Sequence, residues 1–198
     1  MTTPLALGDT HDYRVVNDFM QRTGWLHPVA TAFANYGVVL FGALILLAVW
    51  QARKADGRGP LARALLAGAG VLAAVAVNQP IVHAVAEPRP FTRVHDAVVL
   101  VHRSADASFP SDHATMAGAV AVGLLLAHRR LGVIAAVLAV LMAADRVYVG
   151  AHYPVDVLAG LAVGAVVALL VQLLAGPLTG LLERFAHGPL RRVLVRRA

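Results

Sequence analysis

The sequence predicts an all-α integral membrane protein, a helical bundle of about five to six transmembrane helices preceded by an amphipathic helix. Of its 198 residues, 59% are hydrophobic and only 14% are charged, which is the composition of a membrane protein in a chain of single-domain length. We expect one domain over residues 1–198. An interfacial segment covers 1–27, the membrane core covers 28–176 and a basic cytoplasmic tail covers 177–198.

Five apolar segments are predicted to cross the membrane. The first, residues 28–50, contains no charge, and as a helix rising about 1.5 Å per residue it extends roughly 35 Å, enough to span a bilayer. The other four cover residues 61–86, 111–128, 131–149 and 154–175. The polar connection over residues 87–110 is too charged to enter lipid, so we expect it to be an aqueous or interfacial loop.

Two of these segments carry internal irregularities. Asn78, Gln79 and Pro80 interrupt the second span and are expected to kink the helix or open it locally. Gly160 and Gly164 give the fifth span a pair of small residues four positions apart, a spacing that favours close packing against another helix.

The two ends of the chain are predicted to lie on the membrane surface. Tyr13, Val16, Phe19 and Met20 recur at helical spacing among charged residues, which indicates an amphipathic interfacial helix. The tail over residues 178–198 is similar but basic, which suits an anionic membrane surface. Its arginines are Arg184, Arg191, Arg192, Arg196 and Arg197.

The distribution of basic residues predicts the orientation. Eleven of the 17 Lys and Arg residues fall in the tail, at the turn after the first span, at Arg63 and in the turn over residues 128–130. The positive-inside rule then places the tail in the cytoplasm and the N-terminus outside. Both loops that carry candidate catalytic residues consequently fall together on the outer face.

Composition also excludes several classes of protein. There is no cysteine, so disulfides and thiolate metal sites are absent. The net charge of +6 sits in short clusters between apolar stretches rather than among exposed aromatics, which indicates membrane topology and not nucleic-acid binding.

The sequence FPSDHAT at residues 109–115 resembles the start of a helix. Free amides and positive potential at a helix N-terminus suit a phosphate, to which Ser111 can donate. The alternative is that Ser111 or Asp112 simply caps the helix. His113 follows at once, where it can exchange a proton with a leaving group.

A second segment, RVYVGAHYPVD at residues 146–156, carries His152 and Asp156. Asp156 can accept the proton on one imidazole nitrogen, which leaves the other nitrogen free as a nucleophile. The alternative is a histidine that caps the helix and an aspartate that accepts from first-turn amides. Arg89 and Arg146 can each present a planar fork of donors to phosphate oxygens, although arginines at a membrane edge also anchor lipid headgroups.

Together these residues resemble the signatures of the type-2 phosphatidic acid phosphatase (PAP2) superfamily. Arg146, five residues, His152, three residues and Asp156 match its third signature. The second signature reads Pro-Ser-Asp-His, with Asp112 where many members have Gly. Asp at this position resembles the branch of bacterial undecaprenyl-diphosphate phosphatases.

Two positions depart from the family pattern. Arg89 and Pro90 of the first signature are present, but Val82 stands where the family has Lys. Another residue is then needed to complete the phosphate pocket, and the candidates are His83, Asn78 and Arg93. Asp145 also replaces the family Ser before Arg146.

The resemblance implies a metal-independent lipid phosphatase without a cofactor, which hydrolyses undecaprenyl diphosphate for cell-envelope synthesis. By this resemblance His152 attacks the terminal phosphorus, His113 protonates the departing lipid phosphate, and Asp156 orients His152. Phosphate is bound by Arg89, Ser111, Asp112 and Arg146. The expected partners are a polyprenyl diphosphate and membrane lipids.

Alternative functions remain open at this stage. The same chemistry can act on phosphatidic acid, phosphatidylglycerol phosphate or another lipid phosphate. Vanadate-dependent haloperoxidases share the signatures, although five apolar spans argue against one. A small anion transporter lined by the same arginines and histidines is the non-enzymatic alternative, and it requires charges distributed through the depth of the membrane.

Overall fold

The computed structural model describes residues 8–186, and all regular structure within them is helical. The helices are α1 Thr10–Arg22, α2 His27–Ala52, α3 Gly59–Val85, α4 Pro90–Arg93, α5 Asp112–Ala127, α6 Arg129–Tyr148, α7 Pro154–Gln172 and α8 Ala175–Ala186, with a 3₁₀ turn at Gly24–Leu26 between α1 and α2.

The predicted fold class is confirmed. Helices α2, α3, α6 and α7 are long and apolar enough to cross a membrane. The third predicted span is shorter, because α5 has only 16 residues, or about 24 Å against a hydrocarbon core of about 30 Å. Even so, α5 is the central helix of the bundle, since it packs against α3, α6 and α7.

Aromatic residues mark the two ends of α2. Trp25 precedes this helix and Trp50 lies in its last turn, and both side chains are exposed. Tryptophan is enriched at membrane–water interfaces because its ring is apolar while its N–H is polar. The 25 positions between them correspond to about 37 Å of helix, which suits a helix that crosses the bilayer from one interface to the other.

Glycines allow α5 and α7 to pack closely, as the spacing of Gly160 and Gly164 predicted. A Cβ atom placed on Gly160 would lie 2.6 Å from the carbonyl oxygen of Ser111. Gly164 faces the backbone of Thr115 and Ala119, and Gly118 faces that of Leu161. The two helices run in the same direction, and the backbone amide of Ser111 also donates to the carbonyl of Asp156 at 3.1 Å.

Gly160→Ala is therefore expected to destabilise the protein by about 1–3 kcal/mol, since a backbone carbonyl cannot move away cheaply. Its melting temperature in detergent should fall. The matched control is Gly42→Ala on α2, where an added Cβ meets nothing within 4 Å and better helix propensity should leave stability unchanged or slightly raised. Equal melting temperatures for wild type and Gly160→Ala would contradict the close packing.

Helix α3 continues unbroken through Pro80 to Val85, so the predicted local opening is wrong. Pro80 lies on the exposed side of α3, while Asn78 points inward and is fully buried. The polar residues therefore mark a contact with another helix rather than a break in this one.

The N-terminal helix forms as predicted, but its buried face contacts protein. Tyr13, Asn17 and Met20 are buried in α1, whereas Phe19 is exposed. At the other end of the chain, the predicted tail begins as helix α8, which packs against α3. Residues 187–198 of that tail lie outside the described residues.

Candidate functional site

Most of the predicted site residues meet at one end of the bundle, here called the site end. Helix α3 ends there, α5 and α7 begin there and α6 ends there, so four helix termini surround one space. The loop of residues 149–153 between α6 and α7, here called the His152 loop, closes that end. Arg89, Ser111, Arg146, His152 and Asp156 are all buried.

The imidazole of His152 has a defined tautomer. Its Nδ1 lies 2.9 Å from the carbonyl oxygen of Ser108, and its Nε2 lies 3.0 Å from Nη1 of Arg89. A carbonyl only accepts and a guanidinium only donates. The proton therefore resides on Nδ1, and the lone pair of Nε2 points toward Arg89.

Asp156 supports this arrangement from the first turn of α7. Its Oδ2 accepts from the backbone amide of Tyr153 at 2.9 Å and from the hydroxyl of Ser108. The same oxygen lies 3.4 Å from Nδ1 of His152. The predicted contact between Asp156 and His152 is thus present, but the shorter bond of Nδ1 goes to Ser108.

Arg89 is tied both to the His152 loop and to the loop that precedes α5. Its Nη1 donates to the carbonyl of Ala151 at 3.0 Å, beside the contact with His152. Its Nε donates to the carbonyl of Asp106 at 3.2 Å, and its Nη2 pairs with Oδ1 of Asp106 at 3.0 Å. This guanidinium is held rigidly at the edge of the site.

Arg146 differs from Arg89 because its Nε is buried without a hydrogen-bond partner. The residue is only 8% exposed, and a buried donor without a partner is costly. Arg89 and Arg146 are both electrostatic neighbours of His152. Arg146 therefore has unused hydrogen-bonding capacity close to His152, which suits an anion.

The start of α5 supplies amides and a second histidine. Ser111 is the N-cap, and its Oγ accepts weakly from the amide of Ala114 at 3.5 Å, so its hydroxyl proton is still able to donate. His113 lies two residues after Ser111 and is partly buried. Its electrostatic neighbours include Arg146 and His152, which places a second imidazole beside the first.

Asp112 faces α3. Asn78 donates to its Oδ1 at 2.7 Å, and Gln79 donates to Oδ1 at 3.0 Å and Oδ2 at 3.2 Å. Asn78 also donates to the carbonyl of Pro110 at 3.2 Å. Both carboxylate oxygens of Asp112 thus anchor the beginning of α5, whereas direct binding of phosphate by this residue stays a prediction.

The three residues considered as replacements for the family lysine, which is Val82 in this chain, are either engaged by other residues or exposed. Asn78 is used by Asp112, and Arg93 forms an ion pair with the buried Glu87 at 3.1 Å. His83 is exposed in the last turn of α3. Among the groups described above, Arg146 is the remaining cation near His152, and its Nε has no hydrogen-bond partner.

Sequence reasoning missed Ser108. This residue is fully buried and contacts both His152 and Asp156 through its carbonyl and its hydroxyl. Its contact with His152 spans 44 positions of the chain, so no periodic pattern reveals it. The one available signal was its place two residues before the Pro-Ser-Asp-His sequence.

Burial lowers the pKa of His152 below its ordinary value of 6.5, and the nearby Arg89 and Arg146 lower it further. The hydrogen bond with Asp156 acts in the opposite direction but is outweighed. His152 is therefore neutral near pH 7, in the form that offers a lone pair.

A neutral imidazole with an unprotonated Nε2, two guanidinium groups and a helix N-terminus form a site suited to phosphoryl transfer. Its place at the end of a membrane bundle suits a lipid phosphate.

Comparisons with known proteins agree with this class. Residues 63–178 match the PAP2 superfamily. The undecaprenyl-diphosphatase BcrC of Bacillus subtilis is 34% identical over 158 residues, which cover 80% of this chain and 79% of that protein. The chain belongs to the PAP2 superfamily.

Other relatives act on other lipids. The decaprenylphosphoryl-5-phosphoribose phosphatase of Mycobacterium tuberculosis is 40% identical over 109 residues, which cover 54% of this chain and 58% of that protein. The crystal structure of a transmembrane PAP2-type phosphatidylglycerolphosphate phosphatase from Bacillus subtilis superposes with a TM-score of 0.59 at 25% identity, and covers 82% of each chain.

Proposed function

We propose that this PAP2-type lipid phosphatase hydrolyses undecaprenyl diphosphate to undecaprenyl phosphate and inorganic phosphate, on the outer face of the membrane. The observation that carries the chemistry is the geometry of His152. Its Nδ1 proton is held by Ser108 beside Asp156, and the lone pair of Nε2 is directed toward Arg89. Protonation on Nδ1 leaves Nε2 as the nitrogen with a lone pair, which attack on phosphorus requires, and Arg89 gives up its contact with Nε2 for a phosphate oxygen when substrate binds.

In the first step, Nε2 of His152 attacks the terminal phosphorus. A P–N bond forms and the bond from phosphorus to the bridging oxygen breaks, so that undecaprenyl phosphate departs. His113 gives a proton to the leaving oxygen, and His152 becomes a phosphohistidine whose remaining ring proton stays hydrogen-bonded to Ser108.

In the second step, water attacks the phosphohistidine. His113, now neutral, takes a proton from this water as its oxygen bonds to phosphorus. The P–N bond breaks and its electron pair returns to Nε2, which releases inorganic phosphate. Both histidines are then back in their starting protonation states, His113 protonated and His152 neutral with its proton on Nδ1.

Arg89, Arg146 and the amides at the start of α5 stabilise charge on the transferring phosphoryl group. Charge stabilisation is the main catalytic requirement of this reaction, because little covalent chemistry is left for the protein to supply. Arg89 is preorganised by Asp106 and Ala151. Asp112 contributes indirectly, through the position of α5 that Asn78 and Gln79 fix.

The identity of the substrate rests on similarity. A relative that is 34% identical over 80% of this chain is named for undecaprenyl diphosphate, and Asp112 matches the signature of that branch. Another lipid phosphate is the second candidate, because a decaprenylphosphoryl-5-phosphoribose phosphatase and a phosphatidylglycerolphosphate phosphatase are also similar.

The distribution of charge argues against an anion transporter. The buried charged side chains of the described residues all lie at the site end, and they are Glu87, Arg89, Asp145, Arg146, His152 and Asp156. A transport pathway needs polar groups through the depth of the bilayer, whereas the core between α2, α3, α5 and α6 is apolar.

A substrate panel tests the proposal. The purified full chain is assayed in detergent with EDTA for phosphate release from undecaprenyl diphosphate, phosphatidylglycerol phosphate, phosphatidic acid and decaprenylphosphoryl-5-phosphoribose. We expect kcat/KM for undecaprenyl diphosphate to exceed the others by about tenfold or more. A higher kcat/KM for another lipid would move the substrate to that lipid, and no release from any of them would reject the enzyme.

The membrane face is tested by labelling, which the absence of cysteine simplifies. Ala105→Cys lies in the exposed loop before Ser108 and Ala55→Cys lies in the exposed turn between α2 and α3. In intact cells, a membrane-impermeant maleimide should label the first variant and leave the second unlabelled until the cells are opened. The reverse pattern would place the site in the cytoplasm.

The pH profile follows from the lowered pKa of His152. Because the neutral imidazole is the nucleophile, the acid limb of kcat/KM should fall below pH 6.5. The unfolded chain binds this proton more readily than the folded one, so stability should rise with pH between the lowered pKa and 6.5 and be complete above it. An acid limb at or above pH 6.5 would contradict this environment for His152.

A further inference from the structure

We infer that helix α1 holds the His152 loop in its reactive position, with Tyr13 and Asn17 as positioning residues. This inference rests on the proposed role of His152 as nucleophile. Helix α1, at Thr10–Arg22, precedes the residues 63–178 that match the family, so the family match does not assign it a role.

Three successive carbonyls of the His152 loop are anchored by different parts of the chain. The carbonyl of Val149 accepts from the amide of Leu100 at 3.0 Å, and that of Ala151 accepts from Arg89 at 3.0 Å. Between them, the carbonyl of Gly150 accepts from the hydroxyl of Tyr13 at 3.2 Å. The middle anchor of the loop, two residues before His152, thus belongs to α1.

Asn17 holds the segment that supports the first of these anchors. Its Nδ2 donates to the carbonyl of Val98 at 2.7 Å, and its Oδ1 accepts from the amide of Val98 at 3.2 Å. The Val98 carbonyl lies 2.8 Å from where a Cβ of Gly150 would stand, and Gly150 has a φ of +80°. Asn17 therefore fixes the backbone segment around Val98, which packs directly on the His152 loop.

The ring of Tyr13 also contacts the far side of the loop. It meets the ring of Tyr153 edge-on, with centroids 5.9 Å apart, and both residues are fully buried. The backbone amide of Tyr153 donates to Asp156. Helix α1 therefore touches the loop on both sides of His152, at Gly150 and at Tyr153.

Such contacts matter because a nucleophile must be aligned with phosphorus to within a fraction of an ångström. A displacement of about 1 Å can cost about a hundredfold in rate without weakening the binding of substrate. The expected signature of α1 is thus a lower kcat with an unchanged KM.

The test uses Tyr13→Phe and Asn17→Leu in the purified full chain, assayed on the lipid that the wild type hydrolyses best. Tyr13→Phe removes only the hydroxyl, and Asn17→Leu removes both bonds to Val98. The matched controls are Tyr36→Phe and Asn35→Leu, which make the same changes at exposed positions of α2. Melting temperature and the folded fraction are measured for every variant.

We expect kcat per folded enzyme to fall about 3- to 10-fold in Tyr13→Phe and about 10- to 100-fold in Asn17→Leu, with KM within about twofold of wild type. The controls should match wild type. An unchanged kcat in both variants would overturn the inference. So would a loss of activity that follows only the loss of folded protein and disappears when kcat is expressed per folded enzyme.

The two proposals fail in different ways. A wild type that releases phosphate from no lipid rejects the proposed function, and this inference with it. An active wild type whose His152→Ala variant is inactive, but whose Tyr13 and Asn17 variants turn over normally, rejects only the role of α1.

Discussion

His152→Ala is expected to lower kcat for phosphate release by about 10⁴-fold or more, because the variant lacks the proposed nucleophile. The control is His102→Ala, which removes an exposed histidine from the loop before α5 and should leave turnover unchanged. Folding of the variant is checked by its melting temperature.

A second experiment tests for the covalent bond between His152 and phosphorus. Wild type mixed briefly with undecaprenyl diphosphate labelled at the terminal phosphorus and then denatured should retain label that is stable to alkali and lost in acid, as a phosphohistidine is. His152→Ala should retain none. Wild-type turnover in this variant would remove His152 from the mechanism, and label that persisted would assign the nucleophile to another residue.

Arg146→Ala is expected to have the second largest effect, a fall in kcat/KM of about 10²- to 10³-fold. The Nε of Arg146 is buried without a partner, so its interaction energy is available to the phosphoryl group. Arg146→Lys should recover only part of the loss, because an ammonium lacks the planar fork of donors. Inhibition by vanadate should be weakened most in Arg146→Ala and less in Arg146→Lys.

The control for this prediction is Arg129→Ala, an exposed arginine at the opposite end of the same helix, which should behave as wild type. Arg89→Ala provides a contrast. Because Arg89 also holds Ala151 and Asp106, its loss should lower the melting temperature as well as kcat. If Arg146→Ala kept wild-type kcat/KM, this arginine would have no part in phosphate binding.

The positions of the membrane helices could be predicted closely. The predicted span over residues 111–128 is helix Asp112–Ala127, and that over 154–175 contains Pro154–Gln172. These boundaries are readable because charge and helix-capping residues end each apolar run. The local opening predicted at Pro80 is absent, since hydropathy does not show that this proline lies on the exposed side of α3, where the helix continues through it.

The site was predictable only where its residues lie close in the chain. His152 and Asp156 are four positions apart, and their proximity follows from a helix start. The bond from Ser108 to His152 uses a backbone carbonyl, which has no sequence signature. The amides of Asn78 and Gln79 reach Asp112 across more than 30 positions, and nothing local in the sequence links them.

The face of α1 illustrates a further limit. The spacing of Tyr13 and Met20 indicated an amphipathic helix, which is present. Periodicity shows that one face is apolar, but it does not distinguish a lipid surface from a protein surface. Asn17 on that face is buried and forms hydrogen bonds with the backbone of Val98. This polar contact shows that the face packs against protein.

The shortness of α5 links this chain to the thickness of its membrane. Arg129 and Arg130 lie just after α5, following His128, and are exposed, which suits a position at a membrane boundary. With 16 residues, α5 rises about 24 Å, about 6 Å less than the thickness of a typical hydrocarbon core. We therefore expect the headgroup of a lipid phosphate to descend, or the surrounding lipid to thin, before the phosphate meets the amides at the start of α5. The acyl-chain length of neighbouring lipids is then expected to affect how often substrate reaches the site.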